Sequence, residues 1–220
     1  RISYYGRVQA NYNTTIAQDH HISATLAAEA RINKNQDLSG SRQYGDFYTH
    51  DLLSQGQSST ASNGGSRSDN ATAGYVGRLS YDYKGKYLLE AVARYDGSYR
   101  YAPAKRWAFF PSVSAGWRVS EEPWMKSLVP ALNNLKLRVS YGKSGMDTGS
   151  AWQYIRAYSA SANDGYTFDG TSLTPGMTAP GVVNDNLTWV TSIISNLGVD
   201  FELWRGKLGG TAELFQRKNE

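Results

Sequence analysis

The tightest constraint on this chain is a two-residue alternation that keeps every charge off the apolar phase. In residues 75–83, Tyr75, Gly77, Leu79, Tyr81 and Tyr83 take one phase, and Val76, Arg78, Ser80 and Asp82 the other. After Lys84-Gly85-Lys86 the pattern resumes, with Tyr87, Leu89, Ala91, Ala93 and Tyr95 against Leu88, Glu90, Val92, Arg94 and Asp96. Side chains alternate across a strand with period two, so these segments read as a hairpin. Residues 2–14, 21–33, 109–120, 135–142, 192–203 and 207–217 follow the same rule, with Phe215 the break in the last. A helix would spread these charges around its axis instead. The chain is therefore all-β, with about eight antiparallel strands and at most one short helical turn, within Glu121–Leu132.

The connections alternate in length. Tight turns fall at Gln18-Asp19, Lys84-Gly85-Lys86 and Arg205-Gly206, and the intermediate 120–134 link joins their side. Long links, 34–71, 97–106 and 144–190, fall at the other end. Short turns on one rim and long loops on the other are the layout of an outer-membrane barrel. Composition narrows the choice. Sixteen tyrosines, six tryptophans and six phenylalanines sit beside 22 glycines, which suits a sheet with one apolar and one wet face. There is no cysteine, so no disulfide or thiolate-ligated metal. Three histidines, His20, His21 and His50, give no metal-ligand spacing, and no cofactor is expected. A net charge of +4, scattered along the chain, gives no nucleic-acid-binding face. No apolar run reaches a membrane helix, and RISYYGRVQANY lacks the regions of a signal peptide.

Parity alone leaves the apolar face free to point inward or outward. A soluble, aromatic-rich β domain that binds carbohydrate would bury it, whereas an outer-membrane barrel would turn it to lipid. Three features favour lipid. Tyr81, Tyr83 and Tyr87 cluster at a tight turn with Tyr95 at the far end, as interfacial girdles would. Small residues such as Ala24, Ala28, Ala91 and Ala93 occupy mid-strand apolar positions, where a soluble core would want bulk. Several segments also reach the length that a tilted strand needs to cross the hydrocarbon.

One stretch goes beyond pattern. Residues 74–145 carry RLSYDYKGKYLL, ARYDGSYRY, RWAFFPSVSAGWRVSEE and LKLRVSYGKSG, and 196–218 read NLGVDFELWRGKLGGTAELFQRK. This resembles the barrel of the SusC/RagA family of TonB-dependent outer-membrane transporters. The resemblance implies that residues 1–220 are one partial barrel domain, about eight strands of a 22-stranded transmembrane barrel in the bacterial outer membrane. It implies a plug domain and TonB box outside this sequence. It also implies a transporter, not an enzyme, that imports oligosaccharide or peptide with a SusD-like surface lipoprotein and energy from TonB. A complete small outer-membrane barrel with a structural or adhesive role is the competitor that the strand count allows.

The site residues follow from both readings. Arg78, Glu90, Arg94, Arg118, Arg138, Asp200 and Glu202, on the polar phase, are expected to face the lumen. Trp152, Tyr154, Tyr158, Tyr166 and Phe168, interleaved with Asn163, Asp164 and Asp169, are the candidates for ligand or partner contact. Aromatic faces beside amides and carboxylates suit sugar stacking or a docked lipoprotein. Asp96-Gly97-Ser98 and Arg106-Trp107 are expected to fix a loop conformation. Glu121-Glu122 sit in a turn with no acid–base pairing, and His20-His21 are expected to be solvent-exposed. No catalytic residue is expected.

Overall fold

A computed structural model describes residues 1–45, 52–129, 131–168, 170, 171, 173–184 and 186–220, leaving aside the side chains of 162–164. Its main feature is one eight-stranded antiparallel sheet. The strands are β1 (Ile2–Ile16), β2 (His20–Ser41), β3 (Ser62–Tyr83), β4 (Tyr87–Ser98), β5 (Trp107–Arg118), β6 (Leu132–Met146), β9 (Val190–Leu203) and β10 (Leu208–Asn219). They lie in chain order, with β7 (Ser159–Thr167) and β8 (Leu173–Thr178) forming a separate hairpin inside the last long loop. A short helix, α1 (Pro123–Leu128), follows β5 within the range expected for a helical turn.

Register carries the alternation across the whole sheet. Leu89 stands opposite Tyr81 and Ala115, Ala115 opposite Val139, Val139 opposite Leu197, and Leu197 opposite Leu214. A one-residue slip anywhere would send a strand's charges to the apolar face, so the pattern itself pins the pairing. Tight turns use left-handed backbone at Ala17-Gln18, Lys84-Gly85 and Trp204-Arg205-Gly206. That geometry matches the right-handed twist of the strands it joins.

The apolar face is not a core. Val8, Leu26, Leu79, Leu89, Val139, Leu197 and Leu214 are all exposed. Among the described residues the buried apolar ones are few: Ala27, Tyr101, Phe110 and Val119. Ala27 and Phe110 are on the polar phase, so even these do not make an interior for the apolar one. The sheet is also open, with β1 and β10 as its two edges. Closure as an eight-stranded small barrel would need those two strands to pair.

Three sequence expectations shift. The 34–71 link is in part strand: residues 34–41 of β2 pair with 62–69 of β3, which leaves 42–61 as the connection. The 144–190 loop holds the β7–β8 hairpin, and β6 runs on to Met146. Val119 is not on β5; it opens a 3-10 turn, Val119–Glu121, and is buried.

Candidate functional site

Two girdles bound the apolar face. At the tight-turn rim, His20 packs on Tyr83 (4.7 Å), Tyr83 stacks with Tyr87 (6.2 Å) and Tyr87 with Trp117 (6.3 Å). At the other rim, Trp107 stacks with Tyr95 (5.0 Å) and Tyr75 (6.0 Å). Trp107 and Trp117 mark the ends of β5, about 33 Å apart along a strand rising roughly 3.3 Å per residue. At a tilt of about 40° this spans roughly 25 Å, the height of an outer-membrane apolar band. His20 is not the exposed turn residue expected: it is half-buried, and its Nδ1 lies 2.7 Å from the Tyr81 hydroxyl. His21 is exposed as expected, with Nδ1 2.9 Å from the Thr15 hydroxyl. His50 lies outside the described residues.

The opposite face is polar and largely ion-paired. Arg78 donates to Glu90 at 2.6 and 3.1 Å, and Ser80 adds a third bond to the same oxygen. Arg94 bridges Glu29 (3.0 Å) and Asp96 (3.1 Å). Arg138 grips Asp200 with two bonds, at 2.8 and 3.1 Å, while Thr211 donates to that carboxylate from β10. Arg118 stands opposite Lys136, and Glu202 opposite Asn134 and Gly209. All seven residues expected on the lumen side therefore share one face. A hollow of about 880 Å³ opens there, with Arg78, Glu90, Lys136, Arg138 and Asn196 in its wall. Pairs of opposite charge thus line one face of the sheet, and the exposed apolar side chains line the other. No group of three or more metal-ligating side chains occurs among the described residues.

The long-loop rim is held by a packed cluster. Tyr101 and Ser98 are fully buried. The Tyr101 hydroxyl accepts from the Thr148 amide (3.0 Å) and donates to its carbonyl (3.3 Å), and Ser98 donates to Asp147 (3.0 Å). Trp189 packs on Tyr101 and Phe110 and donates to the Arg106 carbonyl (3.1 Å). Two glycines make this possible. A Cβ on Gly97 would meet the Trp107 ring at 2.8 Å, and one on Gly145 would collide with the Phe110 ring. So Asp96-Gly97-Ser98, at the end of β4, and Arg106-Trp107, at the start of β5, frame the 99–105 loop, and both ends of the 147–189 segment are tied to this frame. Tyr101 and Trp189 were not among the expected site residues; the burial of Tyr101 and the packing of Trp189 depend on segments far apart in the chain.

The loop aromatics fall into two groups. Trp152 meets Tyr99 edge-on (5.5 Å) and Tyr154 at a tilt (6.1 Å), while Tyr166 and Phe168 meet edge-on (5.1 Å). Trp152, Tyr158, Tyr166 and Phe168 are exposed. Trp152 also holds a left-handed backbone, φ 68°, rare for a bulky residue. Asp169 and the side chains of Asn163 and Asp164 lie outside the described residues.

Glu122, in the Glu121-Glu122 turn, sits at the centre of a hydrogen-bonded cluster. Its carboxylate is buried and accepts from the Tyr87 hydroxyl (2.7 Å), Trp117 Nε1 (3.2 Å) and Lys86 Nζ (3.2 Å). Those hydrogen bonds, Tyr87's foremost, hold its pKa below the usual carboxylate value against the opposing effect of burial. Glu121 is likewise lowered, chiefly by Lys126 at 2.7 Å.

An open antiparallel arc with an unburied, girdled apolar face and an ion-paired opposite face defines a β-barrel wall. The chain belongs to the TonB-dependent receptor-like β-barrel family, whose model matches residues 2–220. It is 33% identical over 153 residues to TonB-dependent receptor SusC of Bacteroides thetaiotaomicron, covering 69% of this chain and 15% of that protein. It is 27% identical over 212 residues to TonB-dependent receptor P39 of Formosa agariphila, covering 96% of this chain and 20% of that protein. Among solved structures it superposes on the RagAB peptide transporter with a TM-score of 0.84 at 20% identity, covering 99% of this chain and 24% of that one. The chain thus spans about a fifth of the length of such relatives.

Proposed function

We propose that residues 1–220 supply wall and outer loops to an outer-membrane transporter that imports large nutrients, oligosaccharide or peptide, with energy delivered through TonB. The observation that carries this reading is the division of one sheet into two faces. An apolar face bounded by aromatic girdles is suited to lipid, and a ladder of paired charges is suited to a water-filled or plugged lumen. The SusC relative and the RagAB peptide transporter support import as the role of the whole protein. Arg78, Glu90, Arg94, Arg118, Arg138, Asp200 and Glu202 line the lumen in this reading, with most of their charge spent on one another. Trp152, Tyr154, Tyr158, Tyr166 and Phe168 offer aromatic faces to substrate or to a SusD-like lipoprotein seated over the long-loop rim. The chain is a transport element and carries out no chemistry.

Deleting the gene for the full-length protein tests this. Growth on large oligosaccharides or oligopeptides should fail while growth on the constituent sugars or amino acids continues, and removing TonB should give the same loss. Unchanged growth on every such polymer would overturn the reading. A milder variant, W152A/Y154A in the full-length protein, should reduce the lipoprotein that co-purifies with it.

A further inference from the structure

Between β5 and β6 the chain does something that strand pairing does not require. It leaves the sheet at Arg118, makes the buried 3-10 turn and enters α1 through Glu122 and Pro123. Proline at the first helical position fixes the entry, since its missing N–H would have no helical partner there. α1 packs chiefly on the 3-10 turn before it rather than on the strands. Two of its three large apolar side chains, Trp124 and Leu128, are spaced i,i+4 and so share one face of the helix. That face is unpacked: Trp124 is 52% exposed and Leu128 75%. Lys126, on the other side of the helix, is tied to Glu121.

Glu122 sets where this face lies. The two aromatic donors to its carboxylate, Tyr87 and Trp117, are the stacked girdle rings of the apolar face at the tight-turn rim. The helix begins at the next residue. It therefore starts at the level of the aromatic girdle, on the outer side of the sheet, with an apolar ridge open beside it. A short amphipathic helix there, with Trp and Leu on one side and Lys on the other, has the make-up of an interfacial element.

We propose that α1 is a membrane-interface foot: Trp124 and Leu128 lie in the boundary between headgroups and acyl chains of the leaflet at the tight-turn rim, held there by Glu122. The occupant of this surface is phospholipid. The proposal rests on the barrel reading above and extends the lipid-facing surface beyond the strands. It assigns the Glu122 cluster the role of orienting the foot relative to the bilayer.

The test is site-directed spin labelling of the full-length protein in phospholipid bilayers, comparing collision with oxygen, which concentrates in lipid, and with a water-soluble nickel complex. Residues 1–220 contain no cysteine to interfere. Labels would be placed at L128C, at K126C on the opposite side of the helix, and at L89C in mid-strand on the apolar face. The expected result is an oxygen-to-nickel ratio at L128C shifted well above that at K126C and towards that at L89C. Lipid-like access at L89C with water-like access at L128C would overturn the foot while leaving the barrel intact. Low access to both reagents at L128C would mean that protein covers the site, which also overturns it. Water-like access at L89C would overturn the barrel reading and the foot together.

Discussion

At the scale of single residues, Glu122 carries the most testable chemistry. A carboxylate whose folded pKa is lowered stabilises the fold fully above its unfolded pKa, near 4.5, and that contribution is lost as pH falls through the folded value. Glu122→Gln keeps the shape but removes the charge that Lys86 pairs with. Near neutral pH, E122Q should therefore unfold at a lower temperature than the parent, read as the heat-modified shift of the full-length barrel on a gel. The gap should narrow as pH drops below about 4.5. A gap that stays constant through that window would show that the charge is not what matters. Neither the cluster nor its burial could be read from the sequence, because only the pairing of β4 with β5, which sets Tyr87 opposite Trp117, brings Lys86 and Tyr87 to Glu122. The Arg–carboxylate pairs are a middle case. Parity places Arg138 and Asp200 on one face, but only strand order, which brings β9 beside β6, makes them partners.

Among the elements, the strands were legible where an apolar and a polar face impose opposite demands on neighbouring residues. That is why the alternation within 75–96 and 192–203 matches β3, β4 and β9. In the proposed barrel, strand ends beyond the long-loop girdle would meet water on both faces, so nothing would select alternation there, and Ser, Gly and Asn would suffice. The outer halves of β2 and β3, rich in those residues, therefore read as loop although they pair as far as Ser41 and Ser62. The same logic yields a prediction for β4. Leu89 and Ala91 lie on the apolar face between the girdles, and Val92 lies on the polar face between Arg78 and Ser112. L89R or A91R in the full-length protein should cost barrel assembly roughly 2–4 kcal/mol, as for a cation near the midplane of the bilayer. V92R should be milder. Surface-exposed, heat-modifiable barrel counted per cell would measure both, and equal tolerance of all three would overturn the assignment of the lipid face.

For the molecule as a whole, the decisive feature is that the sheet is open. β1 and β10 each have a single neighbour and expose a row of backbone donors and acceptors along a long edge. In lipid or a detergent core, each unpaired backbone group costs several kcal/mol, so an arc of this kind is not a stable end state on its own. The apolar area that would normally repay such a cost is itself on the surface, and few apolar side chains are buried. Strands beyond β1 and β10, of the kind that make up the rest of the much longer relatives, would supply the missing partners. Residues 1–220 expressed alone and refolded into detergent should therefore pair through these edges into mixed oligomers or aggregate. Sedimentation and cross-linking would read this out, and the full-length protein should run as one defined species under the same conditions. Disrupting one edge with proline on alternate residues of β10 should shorten the oligomer series, because proline cannot donate to a ladder. A stable monomer of the isolated chain, with the β1 and β10 amides protected from hydrogen exchange, would mean that the two edges meet. The wall would then close on itself as a small barrel.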